Sequence, residues 1–167
     1  MVLNEPIPVE VTDLLARRRA LGLDKHDEIW DGEYHMNAAA NIRHARVQAL
    51  LAHTLITLAD ASGFVTVMEF NLGDPNDFRV PDLGVIERES DDVWADTALI
   101  VVEVLSPDDE SLQKFGHYAD HEVDEVWIVD PDVPSVVIHR LVDGSYVVHD
   151  RSRVLSVAAV RIEARLT

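Results

Sequence analysis

The stretch ALIVVEVLSPDDESLQK, residues 98–114, begins as a run of branched apolar residues, which is typical of a central β-strand. Alternation along the run separates two sets of side chains, Ile100, Val102 and Val104 on one face and Val101, Glu103 and Leu105 on the other. Both faces are mostly apolar, as expected for a sheet that is covered on both sides. Glu103 is therefore a carboxylate near the end of a packed strand, where an unpaired charge is costly. Taken alone, it fits a sheet edge or a pair with an arginine equally well.

The length and composition of the chain limit the classes of protein to consider. Its 167 residues are the size of one domain, and we predict a single domain over residues 1–167. No apolar run reaches the about 18 residues that a membrane helix needs. The chain has no cysteine, which excludes disulfides and thiolate zinc sites, and its first residues lack the pattern of a secretion signal. These features predict a cytoplasmic protein with no membrane partner.

The charge of the chain is strongly negative. Its 31 Asp and Glu residues face 14 Lys and Arg residues, which gives a formal net charge of −17. Such a balance disfavours a broad basic surface for nucleic acid, although it does not exclude a local one. The basic residues outside the acidic C-terminal two-thirds are mainly Arg17, Arg18, Arg19, Arg43 and Arg46, and charge runs of this kind are usually solvated helix surface.

Periodicity and turn signals predict the order of the elements. We expect a short helix at 12–21, a hairpin at 27–36 around Asp31 and Gly32, and a main buried helix at 41–60. The expected buried stripe of that helix is Ile42, Ala45, Ala49, Ala52, Ile56 and Ala59, widened by Leu50, Leu51, Leu55 and Leu58. Further strands are expected at 64–72, 80–87, 98–105, 125–130, 135–141, 145–150 and 156–166, with a polar loop at 73–79 and a helix from Ser106-Pro107-Asp108 to about His121. This order predicts an α/β or α+β fold with a mixed sheet.

Asp82 supplies a possible partner for Glu103. If the strands at 80–87 and 98–105 are antiparallel neighbours, joined by a turn centred between Asp92 and Val93, Asp82 lies opposite Glu103 with Cβ atoms roughly 5 Å apart. Two carboxylates in this position repel each other, so the pair favours a positive group between them. A hard divalent cation with oxygen ligands is the natural candidate.

Lys114 follows in the next predicted helix, about two turns from its start. A long side chain from there can reach back over the end of the strand that contains Glu103. Tyr118 lies four residues further on and shares the same helix face.

These segments, taken in order, resemble the Uma2 family of predicted endonucleases in the PD-(D/E)xK nuclease superfamily. The resemblance runs through DGEYHM, NIRHARVQALL, VPDLGVI, VVEVLSP, Lys114 with Tyr118, and VDEVWIVDP, roughly residues 28–141. It implies a restriction-endonuclease-like mixed sheet flanked by helices, here with an extra N-terminal hairpin and extra C-terminal strands. It also implies a metal-dependent endonuclease that uses Mg²⁺ or Mn²⁺ on nucleic acid, DNA more than RNA, and a homodimer.

The resemblance assigns roles residue by residue. Asp82 and Glu103 match the two acidic metal ligands, and the backbone carbonyl of Val104 is a third expected ligand. Lys114 matches the catalytic lysine, which in Uma2 proteins lies on the helix after the strand; the superfamily's usual lysine position is Leu105 here. His44 matches a histidine on the long helix and is expected to contact phosphate or share in proton transfer. Glu33 and Tyr118 are expected in auxiliary roles.

Two rival interpretations stay open. His117 and His121 have the i, i+4 spacing that can hold zinc, although no glutamate follows the first histidine and no third ligand is evident. A non-catalytic, oligomeric binding module that keeps the nuclease fold would account better for the charge of −17, but it has no need for Asp82, Glu103 and Lys114 together.

Overall fold

The computed structural model describes residues 9–37, 40–106 and 110–166, with side chains from residue 11 onward. Its helices are α1 Val9–Ala20, α2 Ile42–Ser62, α3 Phe115–Asp120 and α4 Ala159–Glu163, with a 3-10 turn at Ser111–Lys114 before α3. Its strands are β1 Glu28–Trp30, β2 Glu33–His35, β3 Val65–Met68, β4 Asn71–Asp74, β5 Asp77–Arg79, β6 Leu83–Ile86, β7 Trp94–Ala95, β8 Ile100–Val104, β9 Glu125–Asp130, β10 Ser135–Val142 and β11 Ser145–His149. The predicted mixed sheet with flanking helices is confirmed.

The strands form two sheets. The main sheet has the order β11-β10-β9-β8-β6-β3, in which only the β8–β9 pair is parallel. The second sheet has the order β2-β1-β5-β4-β7, in which only the β4–β7 pair is parallel. The 3-10 turn and α3 form the crossover that a parallel β8–β9 pair requires. The predicted hairpin is present as β1 and β2, with Asp31 and Gly32 both at positive φ, as a two-residue turn of this type needs.

Both faces of the main sheet are covered. One face packs against α2 and α4 in a cluster that includes Ile100, Val102 and Val104 of β8. The other face carries Val101 and packs with Tyr118 of α3 and Leu72 of the second sheet. All five residues of β8 are buried. The two-sided burial predicted for this strand is confirmed, and so is the assignment of its alternate residues to opposite faces.

The predicted register between β6 and β8 is confirmed, but the predicted connection is wrong. Leu83 lies opposite Val102 and Gly84 opposite Val101, which is the register that places Asp82 opposite Glu103. The chain between them does not make a tight turn at 88–92. It leaves the main sheet, adds β7 to the second sheet, and returns at Ala98.

The segment 64–79 also differs from the expected strand and loop. The strand breaks at Glu69, whose φ of 50° turns the chain out of the main sheet. Its second half becomes β4, and the expected polar loop forms the hairpin partner β5. A positive φ at a glutamate is rarely adopted and leaves no mark in apolar periodicity, so sequence pattern alone reads the two strands as one.

Helix α2 matches its predicted limits, whereas its buried face is rotated from the prediction. Asn41 caps the helix by accepting a hydrogen bond from the His44 backbone N–H, and Gly63 ends it. The buried residues are His44, Val47, Gln48, Leu51, Ala52, Leu55 and Ala59. Ile42 and Ile56 are exposed. The rotation brings two polar side chains, His44 and Gln48, to the buried side.

Two predictions for the C-terminal half need correction. Residues 156–166 were expected to form a strand but contain α4, because Ile162 and Leu166 at helical spacing are the residues that reach the core. The expected helix to His121 is a 3-10 turn followed by the short α3, and Lys114 is the last residue of that turn. Pro107, Asp108 and Asp109, in the expected helix start, lie outside the described residues.

Asp27 joins α1 to the N-terminal hairpin. Its carboxylate accepts hydrogen bonds from the Arg18 guanidinium at 2.6 and 3.1 Å, from the Tyr34 hydroxyl at 2.6 Å and from the Asn37 backbone N–H at 3.0 Å. Burial alone would raise the pKa of Asp27, but these hydrogen bonds outweigh it and hold the pKa below its usual range.

Among the described residues, none of the helices has the length and apolar character of a membrane span.

We predict that Asp27→Asn lowers the free energy of unfolding by about 2 kcal/mol at pH 6. Because the folded pKa of Asp27 is depressed, its contribution is present above the unfolded pKa and is lost as the pH falls through the folded pKa. The difference between wild type and variant should therefore shrink between pH 5 and pH 3 in urea titrations. Asp24→Asn, which removes a weak 3.5 Å pair between half-buried Asp24 and exposed Arg19, is the control and should change stability by less than about 0.5 kcal/mol. A difference for Asp27→Asn that is constant with pH would contradict the prediction.

Candidate active site

A small polar cleft of about 160 Å³ opens where β6 begins and β8 ends. The first turn of α2, the 3-10 turn and β1 complete its walls. The titratable groups that line it are Glu28, His44, Asp82, Glu103, Glu110 and Lys114. Four carboxylates thus share one cleft with a single lysine.

Asp82 is held by donors from α2 and β8. Its Oδ1 accepts a hydrogen bond from Gln48 Nε2 at 2.7 Å and lies 3.0 Å from His44 Nε2. Its Oδ2 accepts a hydrogen bond from the Val104 backbone N–H at 2.6 Å. The carboxylate is therefore fixed at the end of β8 while its side chain stays partly exposed to the cleft.

Glu103 is held from the opposite side by the segment that follows β8. Lys114 Nζ donates to Glu103 Oε1 at 3.1 Å, and the Tyr118 hydroxyl donates a short hydrogen bond to the same oxygen. Lys114 and Tyr118 are both buried. The ammonium of Lys114 therefore lies against the Glu103 carboxylate.

Glu28 of β1 is a further partner of Lys114. Its Oε1 accepts hydrogen bonds from Lys114 Nζ at 2.9 Å and from the Val80 backbone N–H at 2.7 Å. Its Oε2 accepts a hydrogen bond from Trp30 Nε1 at 2.7 Å. The ammonium of Lys114 is thus shared by two buried carboxylates, one from each sheet.

The excess of carboxylates perturbs the acid–base properties of the cleft. Burial raises the pKa of Glu103 to about 7, and the charges of Asp82 and Glu28 add to this effect, whereas Lys114 and Tyr118 oppose it. For Lys114, burial favours the neutral form, but Glu103 and Glu28 outweigh burial and raise its pKa. Lys114 is accordingly an ammonium at every physiological pH. Such perturbed groups in a cleft are typical of functional sites.

The cleft fits a hard divalent cation by its chemistry. Asp82 and Glu103 offer carboxylate oxygens from adjacent strands, and four carboxylates line the cleft beside one lysine. Within residues 9–37, 40–106 and 110–166, no three His, Asp or Glu side chains form a ready metal-binding group. A cation here would therefore take two carboxylates together with backbone and water oxygens.

Most of the residues selected from the sequence lie together. Asp82, Glu103, Val104, Lys114 and His44 all line the cleft, and Tyr118 contacts Glu103 from behind. Their assigned roles remain predictions.

Glu33 is the exception among the selected residues. It lies next to the Asp31-Gly32 turn, is exposed, and is not among the residues that line the cleft. At the turn end of the hairpin, Glu33 pairs with Trp30 of β1. Glu28, at the other end of β1, lines the cleft.

Glu28 and Gln48 are the residues that sequence reasoning missed. A glutamate two residues before a turn and a glutamine within a long helix both look like surface residues in the sequence. The available signal for Gln48 was its i, i+4 spacing from His44, which places the two side chains on one helix face. The available signal for Glu28 was strand alternation, which places its side chain on the same face as that of Trp30.

The zinc interpretation of His117 and His121 is not supported. His117 Nε2 lies 3.0 Å from the Leu72 carbonyl oxygen, and His121 Nδ1 lies 2.8 Å from the Asp96 carbonyl oxygen. Burial lowers the pKa of His117, which favours the neutral ring that donates to Leu72. These histidines join α3 to the second sheet and its β7 end.

A larger cavity lies elsewhere. A volume of about 440 Å³ opens at the opposite end of β6 and β8, where Ile86, Trp94 and Leu99 are among its lining residues. Its wall includes Arg88 and several carboxylates on exposed loop positions, without the buried ammonium and paired carboxylates of the small cleft. The chemistry of the lining, and not the volume, identifies the candidate site.

The fold and the cleft together define a protein of the restriction-endonuclease-like class. The chain belongs to the Uma2 family, whose model is described as "Putative restriction endonuclease" and matches residues 13–166. Membership of this family supports a nuclease that acts on nucleic acid, as the sequence predicted.

A solved structure with a similar fold comes from Anabaena variabilis ATCC 29413 and is described as "a putative nuclease belonging to DUF820". The two chains are 16% identical with a TM-score of 0.68, and the match covers 84% of this chain and 91% of that one. At this identity the similarity shows the shared fold. No curated protein matches the chain.

We predict that Lys114→Met lowers the free energy of unfolding by about 3–5 kcal/mol at pH 8, because it leaves Glu28 and Glu103 buried without a counter-charge. Adding Glu103→Gln to this variant should restore part of the loss, since it removes one of the two unpaired charges. Denaturant unfolding monitored by circular dichroism measures both effects. Lys25→Met, at an exposed lysine, is the control and should stay within about 0.5 kcal/mol of wild type. Equal losses of stability in Lys114→Met and Lys25→Met would contradict the buried ion pairs of Lys114.

Proposed function

We propose that this protein is a divalent-metal-dependent endonuclease that hydrolyses phosphodiester bonds in nucleic acid, with DNA preferred over RNA. The observation that supports this most strongly is the contact of buried Lys114 with Glu103, beside Asp82 at the adjacent strand end. Two carboxylates that can bind a metal ion and one ammonium that can stabilise developing negative charge are groups suited to phosphodiester hydrolysis.

Asp82, Glu103 and the backbone carbonyl of Val104 would hold Mg²⁺ or Mn²⁺. When bound, such an ion polarises a phosphate oxygen and lowers the pKa of a water molecule. The donors around Asp82 keep its carboxylate aimed into the cleft, and we assign this positioning role to His44 and Gln48. Tyr118 fixes Glu103 in the same way from the other side of the sheet.

Lys114 is the proposed catalytic lysine. An ammonium has three N–H donors, and two of them are used by Glu28 and Glu103. The third has no acceptor among residues 9–37, 40–106 and 110–166, and it would be available for the attacking water or for a phosphate oxygen, where the positive charge offsets the negative charge that develops in the transition state. The low exposure of Lys114 strengthens this interaction, because little water screens it.

The wider setting of the site is also proposed. We infer that the chain acts as a single cytoplasmic domain, and that two copies form a homodimer, since nucleases of this size often use two active sites to cut both strands of a duplex. The net charge of −17 opposes the approach of a polyanion, so nucleic-acid binding should depend on local groups around the cleft. If those groups are basic, the affinity should fall steeply as the salt concentration rises. The same charge is the one feature that favours a non-catalytic binding module instead.

We predict Mn²⁺- or Mg²⁺-dependent cleavage when the protein is tested on single-stranded, duplex and branched DNA and on matched RNA. Glu103→Gln should lower the cleavage rate by about 100-fold or more, because it removes a proposed ligand without removing side-chain volume. Gel-resolved products of end-labelled substrates measure the rate. Equal residual cleavage by wild type and Glu103→Gln would identify a contaminating nuclease, and no cleavage of any substrate would favour the non-catalytic module.

We also predict that Mn²⁺ binding raises the melting temperature. At ten times its dissociation constant, an ion that binds only the folded state should raise Tm by about 2–5 °C. Asp82→Ala should abolish this shift, whereas Asp60→Ala, an exposed aspartate in the last turn of α2, should retain it. Thermal unfolding scans with and without Mn²⁺ give the comparison. A shift that survives Asp82→Ala would place the ion elsewhere.

A further inference from the structure

Glu28 is the most constrained carboxylate in the cleft. It is 1% exposed, and its two oxygens accept hydrogen bonds from three different segments, namely Lys114 of the 3-10 turn, Val80 before β6 and Trp30 of β1. Three donors on two oxygens leave this side chain no freedom to turn. A rigid buried carboxylate can fix the position of the group that binds to it.

Lys114 depends on such a partner because of where it lies. Its backbone belongs to a short 3-10 turn rather than to a strand or a long helix, and its side chain has four rotatable bonds. Lys114 Nζ donates to Glu103 Oε1 at 3.1 Å and to Glu28 Oε1 at 2.9 Å, so the two sheets hold the ammonium between them. With only one of these carboxylates, the ammonium could turn about the single remaining contact.

We propose that Glu28 is a positioning residue for the nuclease reaction, which holds Lys114 Nζ at Glu103 from the second sheet. This inference rests on the function proposed above. Glu28 also accepts a hydrogen bond from the backbone N–H of Val80, two residues before Asp82. Glu28 therefore connects the segment that contains the proposed ligand Asp82 to Lys114, which contacts the other proposed ligand, Glu103.

The charge of Glu28 matters as well as its geometry. Lys114 is buried with a raised pKa because two carboxylates face it. If a cation were bound to Glu103, it would offset the charge of that carboxylate. Glu28 would then remain as the counter-charge that keeps the Lys114 ammonium buried and in place. An uncharged glutamine at this position keeps the shape and loses that counter-charge.

Lysine modification tests the positioning without any assay of cleavage. The chain has two lysines, Lys25 and Lys114, of which Lys25 is exposed. The ratio of their reaction rates with an acetylating reagent, read by mass spectrometry of peptides, reports how firmly Lys114 is held. In wild type we expect Lys114 to react about 100-fold more slowly than Lys25, and Glu28→Gln should raise the ratio of Lys114 to Lys25 by about tenfold.

Glu125 offers a matched control. It is also fully buried, accepts a hydrogen bond from Trp127 Nε1 two residues along its own strand, and accepts backbone N–H groups of Arg153 and Val154, but it lies at the start of β9, away from the cleft. Glu125→Gln should change the lysine ratio by less than about twofold. Glu28→Asp keeps the charge and withdraws it by one methylene, so it should give an intermediate ratio even if Glu28→Gln fails to fold. A ratio unchanged by both Glu28 variants, or raised equally by Glu125→Gln, would overturn the inference.

Cleavage kinetics supply the second readout. Glu28→Gln should lower kcat about tenfold with little change in KM, and it should cause no further loss in a Lys114→Met background, because both changes remove the same positioned ammonium. Losses that multiply in the double variant would overturn the inference. If wild type cleaves no substrate, the proposed function fails, while the lysine ratio still decides whether Glu28 positions Lys114.

Discussion

The burial of one ammonium between two carboxylates governs the arrangement of this protein. Lys114 contacts Glu103 of the main sheet and Glu28 of the second sheet, and both carboxylates are buried. Breaking either contact leaves a buried charge with too little compensation. The two sheets must therefore meet at the end of β8, and the candidate site lies at that meeting point.

The two proposed ligands are held in different electrostatic environments. Asp82 is partly exposed and surrounded by neutral donors and His44, whereas Glu103 is buried beside other carboxylates and has a pKa of about 7. Negative charge is thus concentrated inside the cleft, where a cation relieves it, and is also spread over a surface that carries a net −17. Any polyanionic substrate must gain more at the cleft than it loses over the rest of that surface.

The sequence was sufficient for the parts of the site that depend on regular strands. Antiparallel pairing put Asp82 opposite Glu103 correctly, although the tight turn on which that register rested is absent and the chain forms β7 there instead. Alternation of the apolar faces alone restricts the register only to shifts of two residues. The sequence was insufficient where the backbone turns at a residue that rarely adopts positive φ, as at Glu69, or where a polar side chain is buried, as with Glu28, Gln48 and the true inner face of α2. Polar burial depends on partners that are distant in the chain, and a local pattern does not contain them.

The path of the chain between the two sheets has a consequence for folding. Strands β1 and β2, then β4 and β5, then β7 belong to the second sheet, and each of these groups is followed by a strand of the main sheet, namely β3, β6 and β8. Pairings of this kind join residues far apart in the chain, so they form late and together. Glu28, Asp82, Glu103 and Lys114 come from four points along this alternating path. A chain in which the two sheets have not yet paired therefore has no complete cleft.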